Sequence, residues 1–319
     1  MRYLVATLMA AAMAASPASA ETDAQWKPNN ANKVSTCRSI WIGLGDVPHD
    51  THEMTRETTF VCHKRYALSH DNATKTPDWV MEHFKAADLV KKFGRPKNKS
   101  FAVEKRVPPH GRATNADYTK TKSALARGHM APSEDFSKTK TGLNDSFVFS
   151  NVVPQVGAKF NGAIWGTLED QVRLAGKARG EIYILTGPVR GDINTRRLTI
   201  AKADNACGNE IKLEGPEKEA FVCAADNRKP NVFCSKGVAV PIGVYKIVYD
   251  PAKGDAYAFL MPNKEYETGL DLAAARDVLT TYRVAVATIE RATGLRFFQA
   301  LPTAKQDKVV NTCAPGTLW

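Results

Sequence analysis

Beyond its first twenty residues this 319-residue chain has no apolar run approaching the ~20 residues that a membrane-spanning helix needs. That excludes a helical membrane protein in whatever follows the N-terminus. The chain also lacks internal repeats, which excludes solenoid architectures, and no Gly/Ser- or Pro-rich tract marks a linker. It contains no Cys-x-x-Cys pair and no close Cys/His cluster, so a structural zinc site has nothing to stand on. Acidic residues are the scarcer charge: 33 Asp and Glu face 44 Lys and Arg, for a net +11. Such an excess favours polyanionic partners and fast, salt-sensitive encounter with them.

What is present begins with a targeting segment. Arg2 supplies a charged start, Tyr3 to Ala15 a short apolar stretch, and Ala18-Ser19-Ala20 a small-residue cleavage site. These are the parts of a secretory signal peptide spanning residues 1–20. The expectation is export to the periplasm or the medium, with a mature start at Glu21 and no membrane partner. Six cysteines (Cys37, Cys62, Cys207, Cys223, Cys234, Cys313) follow the signal, and an even number in an exported chain argues for disulfides. Cys37 with Cys62, and two of the three cysteines in 207–234, are candidate pairs, with Cys313 tying the tail to the body.

Element patterning predicts an α+β arrangement. Thr58–Cys62 and Arg65–Ser69 suit two strands around a turn, and Trp79–Phe84 suits a half-buried strand, with a short helix as the other reading. Residues 91–123, rich in Lys, Arg, Pro and Asn without periodicity, suit an exposed basic loop. Phe147–Asn151 is expected to be a short strand or an extended segment. Asn161–Lys177 carries a helical stripe of Ile164, Trp165, Leu168 and Val172. Glu181–Leu185 and Val238–Tyr249 suit core strands. Leu270–Thr293 is expected to be one helix capped by Gly294.

The residues with most chemical content are Arg127-Gly128-His129-Met130-Ala131-Pro132, followed by Asn161 and Glu169. Histidine can take a proton from water near neutral pH. Asparagine offers a neutral oxygen to a hard cation such as Mg²⁺, which keeps several waters and takes few protein ligands. Arginine beside the histidine can grip a phosphate through a planar, permanently charged fork. Asn161 and Glu169 stand eight residues apart, so on a helix of 3.6 residues per turn both would face one site. Against this, asparagine is also a common helix cap, and Arg173 lies four residues after Glu169, as in an ordinary helical ion pair.

The Arg127–Pro132 segment resembles the (D)RGH-x-AP signature of the DNA/RNA non-specific endonucleases, the ββα-metal nucleases that include mitochondrial endonuclease G. Asn115–Tyr118, Ser150–Gln155 (SN-x-x-PQ), Asn161–Trp165 with Leu168-Glu169, Leu185–Pro188, Val238–Pro241 and Ile289–Phe298 resemble further segments of that family in the same order. The resemblance covers Thr58 to Leu301, with an insertion near 206–236; residues 21–57 would form an N-terminal extension and 302–319 a C-terminal tail. It implies a central antiparallel sheet flanked by helices, and a nuclease that cleaves DNA and RNA with one Mg²⁺, or Mn²⁺ or another divalent ion in its place, leaving 5′-phosphate ends. By position it makes His129 the general base and Asn161 the protein ligand of the metal, with Glu169 holding metal-bound waters. Arg127, Arg173 and Lys75 become phosphate contacts, and Asn151 orients the site through hydrogen bonds. A second copy of the chain is a candidate partner. One departure stands out: the family's aspartate before Arg-Gly-His is Ala126 here. Losing that carboxylate is expected to leave His129 neutral to lower pH. It also keeps a catalytically attenuated nucleic-acid binder as a rival reading, and a phosphodiesterase restricted to single strands or RNA is a second rival.

Overall fold

Strands form where β-branched and aromatic residues alternate around tight turns, and three such stretches open the main sheet. The computed structural model describes residues 34–51, 56–97, 99–118, 125–190, 197–216, 234–235 and 237–319. The signal segment, Cys223 and most of the insertion lie outside the described residues. β1 (Thr58–Cys62), β2 (Tyr66–Asp71) and β3 (Thr76–Lys85) form an antiparallel meander. Trp79–Phe84 therefore lies within a strand, and not a short helix. There follow β4 (Leu125–His129), β5 (Val152–Val156), the helix α1 (Ile164–Arg179), β6 (Glu181–Val189), β7 (Gly243–Asp250) and β8 (Asp255–Pro262). The chain ends with α2 (Leu272–Thr281), β9 (Arg283–Val284), α3 (Val286–Thr293) and α4 (Thr303–Asn311).

Seven strands make one sheet in the order β9-β8-β7-β6-β3-β2-β1, every neighbouring pair antiparallel. Its central strands are buried on both faces, because successive side chains point to opposite sides and each side is covered. One face carries Val80, Phe84, Ile182, Ile184, Val244 and Val248 and packs against α1 and α2. The other carries Trp79, Met81, Leu185, Tyr245 and Ile247 and packs against α3, α4 and the segment Cys37–Leu44. Among the described residues β4 and β5 pair with each other alone and lead into α1, so the β-β-α unit sits on the first face.

The structure revises three expectations. The Leu270–Thr293 segment is two helices, because Arg283-Val284 leaves the helix to pair with Phe259 and Ala258 at the edge of the sheet. Edge pairing wins locally over helix continuation, and Thr280-Thr281-Tyr282 just before the break are residues that favour strands. Gly294 does end α3 in the left-handed conformation, with φ 75°. Phe149–Asn151 is a single 3₁₀ turn and not a strand; the strand begins at Val152. Val238–Tyr249 is interrupted, since Val238-Ala239 pairs with Ser235 and Cys234 before β7 begins at Gly243.

Disulfides join Cys37 to Cys62 and Cys207 to Cys313. The second assigns Cys207 to the tail and not to a partner within the 207–234 stretch. Both covalent ties hold segments that pack into the body: Leu44 and Leu318 are each 2 % exposed. Arg283 adds a donated hydrogen bond to the Ala314 carbonyl at 2.6 Å. Cys207–Cys313 closes a stretch of 106 residues. Replacing both cysteines by serine is expected to cost about 2–4 kcal/mol of stability through the larger entropy of the unfolded chain. Urea unfolding of the oxidised protein and the variant measures the difference; equal midpoints would show that packing alone holds the tail.

Candidate active site

His129 ends β4, and the local sequence explains its presentation to a pocket. Along a strand, Arg127 and His129 share one face while Ala126 and Gly128 share the other. Gly128 lies so close to Gln155 on β5 that a Cβ there would sit 1.8 Å from Gln155 Oε1. A side chain at this position would collide with Gln155, so glycine lets the strand pair close, while the alternation of the strand puts His129 on the other face. Asn151 then fixes the turn that follows. Its Oδ1 accepts from Ala131 N–H at 2.9 Å, its Nδ2 donates to the Ala131 and Ser146 carbonyls at 3.0 Å each, and its own carbonyl accepts from Met130 N–H. Asn151 thus ties the turn after His129 to the segment that carries Ser146.

The His129 ring rests 5.1 Å from Phe101 and 5.0 Å from Phe147, centre to centre. Its Nε2 has no hydrogen-bond partner among the described residues. Burial lowers its pKa to about 3, with the nearby charge of Arg95 acting in the same direction. The imidazole is therefore neutral at physiological pH and able to accept a proton.

Facing it is a cavity of about 320 Å³ lined by His129, Arg95, Asn161, Glu169, Asp170 and Arg173 among others. Asn161 is the last residue of a π-helical turn, Gly157–Asn161, that precedes α1. It is not the cap of the helix: α1 starts at Ile164, its cap position is Ala163, and no side chain caps it. The capping alternative for Asn161 is thereby removed. The stripe Ile164, Trp165, Leu168, Val172 buries one face of α1 against the sheet, and Glu169 comes to the pocket from the edge of that stripe. Burial raises the Glu169 carboxyl to about 7, against the pull of Lys246 and Arg173 and with a push from Asp135. The donor set suits a hard cation that keeps its water. Among the described residues no group of three or more His, Cys, Asp or Glu could hold a metal. The amide oxygen of Asn161 would thus be left with a largely hydrated ion, as Mg²⁺ prefers.

Other expected contacts are placed differently. Arg173 lines the cavity, but its guanidinium is already held by Asp135 at 2.7 Å, by Glu134 at 3.5 Å and by Asp170. Those three acids, and not the helical pair with Glu169 that is the alternative to a phosphate contact, are its ion-pair partners. Arg127 stands beside the cavity wall, bonded to Asn115 and lying over the rings of Phe101 and Tyr118 at 5.5 and 6.0 Å. Lys75 is not part of this cavity: it occupies the β2–β3 turn with φ 55°, and its Nζ lies near Gly237. A cation from another segment, Arg95, does line the cavity; it is exposed in the basic loop, its guanidinium over the Phe147 ring at 5.4 Å. The sequence holds no signal that separates Arg95 from the neighbouring lysines and arginines of that loop. Ala126 points to the face of β4 away from His129, about 10 Å along the strand at three residues' rise. A carboxylate there would act on His129 weakly, contrary to the expectation from sequence.

Glu169 allows a test that needs no substrate. A carboxyl whose folded pKa is raised stabilises the fold fully below its unfolded value near 4.5, and that contribution is gone once the pH has passed about 7. Glu169→Gln is therefore expected to raise the unfolding temperature at pH 8 and to leave it unchanged at pH 4, in metal-free buffer. Calorimetry at the two pH values checks this; an equal change at both would mean that burial does not raise the carboxyl above its ordinary range.

The chain matches the model of the DNA/RNA non-specific endonuclease family over residues 50–304. It is 29% identical to Nuclease C1 of Cunninghamella echinulata var. echinulata over 261 residues, covering 80% of this chain and 89% of that one. It is 27% identical to the mitochondrial nuclease of Saccharomyces cerevisiae over 268 residues, covering 81% and 69%. A solved structure of EndoG in complex with EndoGI superposes with a TM-score of 0.62 at 25% identity, covering 88% of this chain and 97% of that one. The β4-β5-α1 unit with His129 and Asn161 on one cavity is thus the β-β-α core of a metal-dependent nuclease, and the chain belongs to the DNA/RNA non-specific endonuclease family.

Proposed function

We propose that this protein is an exported, sugar-non-specific endonuclease that uses one Mg²⁺ and His129 to hydrolyse DNA and RNA to products with 5′-phosphate ends. The observation that carries the reading is His129: neutral, with Nε2 unpartnered among the described residues, on a cavity it shares with Asn161 and Glu169. His129 takes a proton from a water as that water attacks phosphorus, and the bond from phosphorus to the 3′ oxygen breaks. Asn161 would hold the Mg²⁺, which when bound neutralises the scissile phosphate and stabilises the leaving oxygen. Glu169 supplies negative charge beside it. Arg95 and Arg127 reach the substrate's phosphates, while Arg173 braces Asp135 and Asp170 at the cavity wall. Contacts of this kind read the phosphate backbone and carry no base sequence, which suits weak sequence preference. Export is supported by the residue 1–20 segment and by two disulfides.

Incubating the mature protein with duplex DNA, single-stranded DNA and RNA, with Mg²⁺ or with EDTA, tests the reading. All three substrates are expected to shorten with Mg²⁺ and none with EDTA. A protein that retards DNA in a gel without shortening it would be the attenuated binder, and cleavage of single strands or RNA alone would be the narrower phosphodiesterase.

A further inference from the structure

From Gly243 to Tyr249, strand β7 carries core residues on both faces except at Lys246, which is 1 % exposed. A buried ammonium is costly unless opposite charge surrounds it. Lys246 Nζ donates to Thr186 Oγ1 at 2.7 Å and sits over the Trp165 ring of α1 at 5.3 Å. Thr186 is the residue opposite Lys246 on β6, and Val80 of β3 is opposite Thr186. Glu82, two residues along β3, shares that face of the sheet; it is fully buried, and neither of its carboxylate oxygens has a hydrogen-bond partner among the described residues. Asp135, in the turn after Pro132, is buried and bonded to Arg173. Three carboxyl groups, Glu82, Asp135 and Glu169, thus share this buried region with two cations, Lys246 and Arg173; burial raises all three, and Glu82 well above the usual carboxylate range. The pull on the Glu169 carboxylate comes first from Lys246 and second from Arg173, and Arg173 is already engaged by three acids.

We propose that Lys246 is a positioning residue for the reaction: the buried cation in the sheet, lying against Trp165 one helical turn before Glu169, whose charge favours the Glu169 carboxylate at the cavity. The inference rests on the reading that Glu169 works as an anion. It explains why a lysine occupies a strand whose neighbours Tyr245 and Ile247 are core residues on the opposite face, where a leucine would pack without cost. Lys246 does not touch substrate, so it acts on turnover and not on binding.

The test is a double-mutant cycle on kcat and KM with duplex DNA at saturating Mg²⁺, using wild type, Lys246→Met, Glu169→Gln and the double variant. Lys246→Met is expected to lower kcat about 10-fold with KM within about two-fold, inside the range of couplings between contacting groups. Glu169→Gln is expected to lower it about 100-fold, and adding Lys246→Met to it should change nothing further, because the cation then has no carboxylate to act on. Where Lys246→Met alone does not fold, the same cycle is run on the Glu82→Gln background, in which the unpartnered buried acid on the same face can no longer ionise. Two losses that multiply, an unchanged kcat in Lys246→Met, or a rise in KM with kcat preserved would overturn the inference while leaving Glu169 in its role. A fully active Glu169→Gln enzyme would overturn the reading of Glu169 itself, and the inference with it.

Discussion

His129→Ala is expected to lose about 10⁴-fold in kcat, the upper end of what a positioned proton acceptor contributes, while folding and still binding nucleic acid. The ring stands at the end of β4 with Nε2 free among the described residues, and its flanking rings Phe101 and Phe147 are carried by other segments. Those rings and the Asn151 clamp on Met130 and Ala131 keep the turn in place when the imidazole is removed. The truncation leaves a small void at the cavity wall, so the loss of stability should be slight beside the loss of rate. Single-turnover cleavage, a gel-shift titration in EDTA and thermal unfolding separate the three quantities. A variant that turns over within about ten-fold of wild type would remove His129 from the chemistry, and one that no longer binds would make the residue a substrate contact.

Asn161→Ala should cost about 10³-fold in activity at low Mg²⁺, with part of the loss recovered as Mg²⁺ is raised. An ion that keeps most of its water depends heavily on the one protein oxygen that anchors it. The structure sharpens this prediction, because Asn161 ends the π-helical turn and does not cap α1. Its replacement therefore removes an oxygen from the cavity without unravelling the helix, and the unfolding temperature should stay within a degree or two. Activity measured against Mg²⁺ concentration is the decisive curve. A variant with the same half-saturating Mg²⁺ as wild type would show that Asn161 does not touch the ion, and a large fall in unfolding temperature would show that its part is structural.

The residues that meet at the cavity are legible in the sequence because their chemistry is specific. A histidine framed by Gly128 and Met-Ala-Pro, an asparagine and a glutamate eight residues apart, and several ordered segments of family likeness point to one reaction. The Asn161–Glu169 spacing leads to the right pairing by an imperfect route: both side chains do line one cavity, but a π turn, and not a continuous helix, carries Asn161 there. Strands with clear alternation, such as β1 and β2, and the apolar stripe of α1 are equally readable, since period-2 and period-3.6 patterns are local properties of the chain.

Other features depend on partners far along the chain. Arg283-Val284 leaves its helix because the edge of β8 accepts it. Cys207 finds Cys313 across 106 residues, where sequence offers only a count of cysteines. Arg95 and Lys75 are both basic residues in polar stretches, and only the packing of Arg95 over Phe147 places one of them at the cavity and leaves the other at a distant turn. Ala126 looks decisive beside Arg127 and His129 in the sequence, yet the pleat of the strand turns it to the opposite face. Lys246 and Glu82 sit in strands that read as plain core, and come onto one buried face only when β3, β6 and β7 align beneath α1. By itself the sequence determined the family, the histidine, asparagine and glutamate that line one cavity, and most of the strand and helix content, all of which follow from side-chain type and local period. The tertiary structure alone decided which charges face one another, because burial and counter-charge are set by neighbours that no local pattern names.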